Sequence, residues 1–151
     1  MVPMETVPGF LFIDHFAIAV PRGGLDAQLA AYRAMGFHEF HREDVLGTDQ
    51  VREVLLEIGG GPNLIQLLEP LSPESPVQKL IDRNGGKGGF AHVAYRVQNA
   101  HAAFDAMKAS GLPVIDDAPR PGSRGTTVFF VHPKAFGYLI EIVEAPLESV
   151  H

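Results

Sequence analysis

The stretch Phe12-Ile13-Asp14-His15-Phe16-Ala17-Ile18-Ala19-Val20 decides the fold, because it returns as Gly89-Phe90-Ala91-His92-Val93-Ala94-Tyr95-Arg96-Val97 with a histidine at the same place. A second pair of segments matches too. Leu64-Ile65-Gln66-Leu67-Leu68-Glu69-Pro70 is echoed by Leu139-Ile140-Glu141-Ile142-Val143-Glu144-Ala145-Pro146. His15 and His92 are 77 positions apart, and Gln66 and Glu141 are 75 apart. Two nearly equal offsets at separate places mark one module present twice.

Both copies read alike. Each histidine segment is apolar, of strand length, and rich in β-branched and aromatic residues. Leu25, Leu29 and Tyr32 follow at helical spacing, and Gly36 supplies a stop. In the second copy Asn99 caps a helix whose stripe is Ala100, Ala103, Phe104 and Met107, and Gly111 ends it. Three further strands are expected in each half. They are Phe37–Arg42, Val51–Ile58 and Asn63–Leu68 in the first, and about Val114–Ile115, Thr126–His132 and Tyr138–Val143 in the second. Between the halves, Ser75-Pro76 starts a short helix Val77–Arg83, and Asn84-Gly85-Gly86-Lys87-Gly88-Gly89 reads as a hinge. The expected class is α+β: two βαβββ modules, about 12–70 and 89–146, within a single domain and joined by a helix-containing linker, 71–88. A four-stranded sheet of this kind leaves one face open, so two of them must pack or join.

A length of 151 residues suits one such duplicated domain, and 46% apolar against 20% charged residues is enough for a core. The net charge of −6 has the wrong sign for clamping phosphate backbones, so nucleic acid is not an expected partner. The absence of cysteine removes disulfides, thiolate metal sites and cysteine nucleophiles. No apolar run approaches the roughly 20 residues of a membrane helix. Met1–Phe10 lack the basic start and apolar stretch of a signal peptide. The expectation is a cytoplasmic chain, with no membrane partner, that works with imidazoles, carboxylates, amides and hydroxyls.

Strand alternation assigns faces. Ile13, His15, Ala17 and Ala19 share one side of their strand, where the alanines leave room beside the imidazole. Phe12, Asp14, Phe16, Ile18 and Val20 form the opposite side, whose bulk suits packing under the helix. His92 shares a face with Phe90, Ala94 and Arg96. Gln66 and Glu141 sit in the middle of apolar strands, where a polar group is costly unless paired or bound to metal. Singly, each of these residues has an ordinary structural explanation. Together His15, Gln66, His92 and Glu141 hold corresponding positions of a duplicated unit, and a pseudo-twofold axis brings them to one point. Two imidazoles, an amide oxygen and a carboxylate suit a borderline divalent ion. Of the other histidines, His101 reads as a solvated helix residue, His38 and His41 as exposed flanks of a short strand, and His132 as a loop residue near a ligand.

Several motifs resemble those of the methylmalonyl-CoA epimerases, a branch of the vicinal oxygen chelate (glyoxalase-like) superfamily. They are the four candidate ligands, Gln66-Leu67-Leu68-Glu69-Pro70, Ser75-Pro76, Asn84-Gly85-Gly86, Ala91-His92-Val93-Ala94, Pro119-Arg120-Pro121-Gly122-Ser123-Arg124-Gly125 and His132-Pro133-Lys134. The resemblance runs from about Phe12 to Glu144. It implies paired βαβββ modules forming an incomplete barrel around a metal site, a divalent ion (Co²⁺, Mn²⁺, Ni²⁺ or Zn²⁺) held by His15, Gln66, His92 and Glu141, and a homodimer. The implied reaction inverts the α-carbon of a 2-substituted malonyl-CoA through an enolate. Inversion needs proton donor and acceptor on opposite faces. Glu141 is one candidate. The family's second glutamate is expected in the segment that reads Thr48-Asp49-Gln50-Val51 here, where Thr48 takes its place, so Asp49 or Glu43 (with Asp44 beside it) stands in. Ser123 and Arg124 offer a turn for a carboxylate, and Lys134 a charge for the coenzyme A tail. Two other readings are another isomerase, lyase or dioxygenase on the same scaffold, and a module that binds a small molecule without turnover.

Overall fold

A computed structural model of the chain describes residues 9–146. Its elements are β1 (Phe10–Ala19), α1 (Leu25–Ala34), β2 (His38–Val45), β3 (Val51–Glu57), β4 (Leu64–Pro70), α2 (Pro76–Arg83), β5 (Gly89–Val97), α3 (Ala100–Ala109), β6 (Arg120–Pro121), β7 (Thr127–Val131) and β8 (Leu139–Glu144). Strands and helices mix in the α+β manner. The chain divides into two compact units, one of residues His15–Ala91 and one in which the segment up to Asp14 joins the chain from His92 onward.

In the unit His15–Ala91 the strand order is β2-β3-β4-β1. β1 and β4 run parallel, with Ala17 opposite Gln66, while β3 is antiparallel to both β2 and β4. One face carries α1: Val20, Leu25, Leu29, Val54, Leu56 and Leu67 are buried there with Ile18, Tyr32, Phe37 and Ile65 against them. Ala17, Val51 and Leu68 pack on the opposite face. The helix starts without a side-chain cap of its own. Instead the Glu69 carboxylate, arriving from β4, accepts from the Gly23 amide at 2.8 Å and from that of Leu25 at 3.4 Å. Ser75 caps α2 by accepting from the Val77 amide, with Pro76 at the first helical position, as the Ser-Pro pair foretells. Gly88 lies where any β-carbon would collide with the carbonyl oxygen of Ala19, so the glycine run is shaped by close backbone approach as well as by turning.

The other unit repeats the plan. Its strand order is β5-β8-β7-β6, and β5 and β8 are parallel with Ala94 opposite Glu141. Val93, Val97, Ala100, Ala103, Phe104, Met107, Phe129, Val131, Ile140 and Ile142 make the core under α3. Asn99 caps α3 through Ala102, and Glu144 of β8 adds a 2.8 Å bond from the Ala100 amide. Glu69 and Glu144 are thus equivalent in sequence and in task.

Three expectations need correction. β2 begins after Phe37, which packs with the α1 core, and runs on to Val45. It is an edge strand whose residues are polar or charged except Phe40 and Val45, so it lacks the apolar alternation that marks a strand in sequence. The expected strand at Val114–Ile115 reduces to one bridge from Val114 to Val131, and the two-residue β6 is additional. Finally, the bulky side of β1 serves α1 only through Ile18 and Val20. Phe16 is 41% exposed against Phe90, Phe12 lies under the Arg96 guanidinium, and Asp14 is fully buried beside Arg96.

Candidate functional site

Each unit presents polar side chains on the sheet face away from its helix. In the unit His15–Ala91 they are His15, Gln66 and Glu53. The register places His15 opposite Leu64, and Gln66 between Ala17 and Leu55; Glu53 lies opposite Leu68. All three side chains are buried, with Ala17, Val51 and Leu68 as apolar surroundings. The Nε2 of Gln66 donates to Oε1 of Glu53. A carboxylate only accepts, so this partner fixes which way the amide faces. The amide oxygen is then turned away, buried, and without a hydrogen bond among the described residues. A buried acceptor in that condition costs about 1–3 kcal/mol, and a cation removes the cost. The chemistry of the residues therefore fits an ion.

In the other unit, His92 and Glu141 stand on neighbouring strands, with Nε2 and Oε1 3.2 Å apart. Phe130, opposite Glu141 in β7, packs edge-on against the His92 ring and shields it. The two units use the same register: His15 faces Leu64 as His92 faces Leu139, and Ala17 faces Gln66 as Ala94 faces Glu141. The duplication read in sequence is a duplication of hydrogen-bond register.

The remaining candidates are placed as follows. Glu43 accepts from or shares a proton with His41 Nε2 at 2.7 Å, and His41 is half-buried in β2 rather than an exposed flank. Asp44 is paired to Arg52 at 2.9 Å, and the hydrogen bond from that guanidinium holds its carboxyl below the ordinary aspartate range. Asp49 presents its carbonyl to the Ser75 hydroxyl. Ser123 and Arg124 lie in a short 3₁₀ turn, where Arg124 takes a φ of 56°, a left-handed conformation rare outside glycine. Lys134 is exposed in a second such turn, its amide bonded to the His132 ring. His38 and His101 are exposed. His151 lies outside the described residues.

Residues 14–130 match the model of the Glyoxalase/Bleomycin resistance protein/Dioxygenase superfamily. An ethylmalonyl-CoA/methylmalonyl-CoA epimerase of Cereibacter sphaeroides is 35% identical over 133 residues, which cover 86% of this chain and 95% of that relative. The chain belongs to this superfamily, and within it to the family of the methylmalonyl-CoA epimerases. Solved structures of the family agree with this placement. That of the methylmalonyl-CoA epimerase from Mycobacterium tuberculosis superposes with a TM-score of 0.85 at 31% identity, covering 98% of this chain and 95% of that one. A Streptomyces coelicolor methylmalonyl-CoA epimerase in complex with 2-nitronate-propionyl-CoA gives 0.82 at 37% identity, covering 91% and 99%.

As a member of the glyoxalase/bleomycin resistance/dioxygenase superfamily, the chain shows one feature that sequence reading passed over. Glu53 is a 4% exposed carboxylate in β3, where Val51, Val54, Leu55 and Leu56 are buried around it in sequence. The signal that singled out Gln66 and Glu141, a polar residue amid buried neighbours, applies equally to it.

Proposed function

We propose that this chain inverts the α-carbon of a 2-substituted malonyl-CoA thioester with a methyl or ethyl substituent, and that His15, Gln66, His92 and Glu141 together hold one divalent ion. The observation that carries the reading is Gln66. Its amide nitrogen is occupied by Glu53, its oxygen is buried without a hydrogen bond, and its place in the first module is that of Glu141 in the second. The names of the relatives supply the substrate class. Among the candidate ions Co²⁺, Mn²⁺, Ni²⁺ and Zn²⁺, the mixed N/O donor set favours a borderline one. A bound divalent ion supplies positive charge beside the thioester oxygen that becomes negative when the α-proton leaves.

The protein's own groups perform the proton traffic. An α-proton flanked by a thioester and a carboxylate is only weakly acidic, and inversion requires one group to remove it and another to return a proton from the opposite face. Each such group contributes ~10²–10⁴-fold. Glu141 and Glu53 are the two groups we assign, with Glu53 preferred over Asp49 and Glu43. Glu53 is buried and oriented by Gln66, whereas Asp49 is engaged through its backbone and Glu43 is bonded to His41. Burial among Val51, Leu68 and Ala17 keeps water from the carboxylate. Ser123, Arg124 and Lys134 are assigned to the free carboxylate and the coenzyme A tail; the left-handed Arg124 supports this, since strain of that kind gathers at ligand-holding loops. A cytoplasmic homodimer completes the proposal, the homodimer being what the motif resemblance implies. No helix among the described residues is long and apolar enough to cross a membrane.

The test is deuterium uptake. The protein loaded with Co²⁺ and given methylmalonyl-CoA in D₂O is expected to place deuterium at the α-carbon and to equalise the two epimers. Uptake no faster than with metal-stripped protein would reject the proposal.

A further inference from the structure

Arg120 stands on the same side of its sheet as Glu141. In the antiparallel ladder of β6, β7 and β8 it is opposite Val128, Val128 is opposite Val143, and Phe130 is opposite Glu141. Paired residues share a face, as do residues two apart in a strand. Arg120, Val128, Phe130 and Glu141 therefore lie on one side, away from the core under α3 that takes Phe129 and Val131. The guanidinium carbon is 5.5 Å from the centre of the Phe130 ring, and that ring is 5.7 Å from the centre of the His92 imidazole. A single aromatic ring thus links the cation to the His92–Glu141 pair.

The cation is also held in place. Asp116 accepts from Arg120 Nε at 3.1 Å with one oxygen and from the Phe130 amide at 2.8 Å with the other, which fastens the guanidinium to β7. Pro121, the next residue, keeps the Arg120 backbone extended. Asp116 occupies only the Nε donor. The two terminal amino groups make no hydrogen bond among the described residues, and the side chain is 40% exposed. A guanidinium so placed presents a planar pair of donors that matches a carboxylate.

We infer that Arg120 is a specificity-determining residue that binds the free carboxylate of the malonyl thioester, selecting acyl-CoA esters with an acid on the α-carbon over neutral ones. The inference rests on the substrate class proposed above. The position of the guanidinium decides between the anions of such a substrate. The carboxylate is bonded directly to the reacting carbon and comes with it to the His92–Glu141 pair, whereas the phosphates lie the whole pantetheine arm away. Arg120 adds a fixed pair of donors to the Ser123–Arg124 turn already assigned to that group.

The test is calorimetry on the Co²⁺-loaded protein with methylmalonyl-CoA and with propionyl-CoA, which lacks only the carboxylate. Arg120→Met keeps an apolar stem on Phe130 and removes the charge. It is expected to weaken methylmalonyl-CoA binding by about 10–100-fold and to leave propionyl-CoA binding within about twofold. Arg120→Lys is expected to fall between, because it keeps the charge and loses the planar fork. Methylmalonyl-pantetheine, which has the carboxylate and no phosphate, is expected to lose as much as the full ester. An unchanged preference for methylmalonyl-CoA over propionyl-CoA in Arg120→Met would overturn the assignment. Equal weakening of both CoA esters would do so too: with methylmalonyl-pantetheine spared it puts Arg120 on the phosphates, and with that ligand weakened as well it marks a disturbed fold. Failure of the underlying reading looks different, since the wild-type protein would then bind the two CoA esters alike and take up no deuterium.

Discussion

Arg96 and Asp14, 82 residues apart in sequence, form a fully buried ion pair in which Nε and Nη2 of the guanidinium both lie 2.7 Å from Oδ2 of the aspartate. The Phe12 ring stacks beneath the guanidinium, 5.1 Å from its carbon. The pair ties the beginning of β1 to β5 at the residue before His15. Removing one partner leaves the other charge buried alone, which costs about 3–5 kcal/mol. Asp14→Ala or Arg96→Ala is therefore expected to lower the free energy of urea unfolding by that amount. The double variant Asp14→Leu with Arg96→Met is expected to recover most of it.

The Gln66–Glu53 bond makes a second expectation. Glu53→Ala removes both a candidate base and the group that orients the amide. Deuterium uptake is expected to fall by ~10²-fold or more, and, if Gln66 is the ligand proposed above, Co²⁺ affinity by about 10–100-fold, the usual loss when a group orienting a metal ligand is removed. Uptake kinetics and a Co²⁺ titration read the two effects separately.

Co²⁺ itself provides the next test. Its visible d–d bands are expected on binding to the wild-type chain and lost in His15→Ala, His92→Ala and Glu141→Ala. Binding the folded state alone stabilises it, by about 2.7 kcal/mol at a hundredfold excess over Kd. The wild-type Tm is expected to rise with Co²⁺ and return on adding EDTA, while the Tm of the three variants stays insensitive.

The two equivalent glutamates can be compared directly. Glu69→Ala deprives the start of α1 of its acceptor, and Glu144→Ala does so for α3. Losing a helix N-terminal acceptor costs about 0.5–2 kcal/mol. Thermal unfolding is expected to show losses of that size in both variants.

Asp44 supplies a pH expectation. The Arg52 guanidinium lowers its pKa, so the carboxyl is expected to titrate below an ordinary aspartate in carbon-13 NMR. Depressed in the folded state, it favours folding above the ordinary aspartate value, and this contribution fades as pH falls through the lowered one. In Arg52→Ala the midpoint is expected to return to the ordinary value.

Much of this was legible in the residues as they stand. Ser75-Pro76, Asn99 with Gly111, and the stripe Ala100, Ala103, Phe104, Met107 behave as read, because caps and helical periodicity are settled within one or two turns of chain. Even Gln66 declared itself, as a polar residue amid leucines. β2 did not, since an edge strand takes charged residues and carries no apolar alternation.

The linear chain thus specified two copies of one module, their helices, and the polar positions within apolar strands, all of which depend on spacing along the backbone. Folding alone chose the partners. Glu53 meets Gln66, Arg96 meets Asp14, and Glu69 and Glu144 reach helix starts more than 40 residues away. Such pairings depend on which strands lie side by side and in what register. Register is set by the burial of whole sheet faces, a property no single stretch of sequence carries.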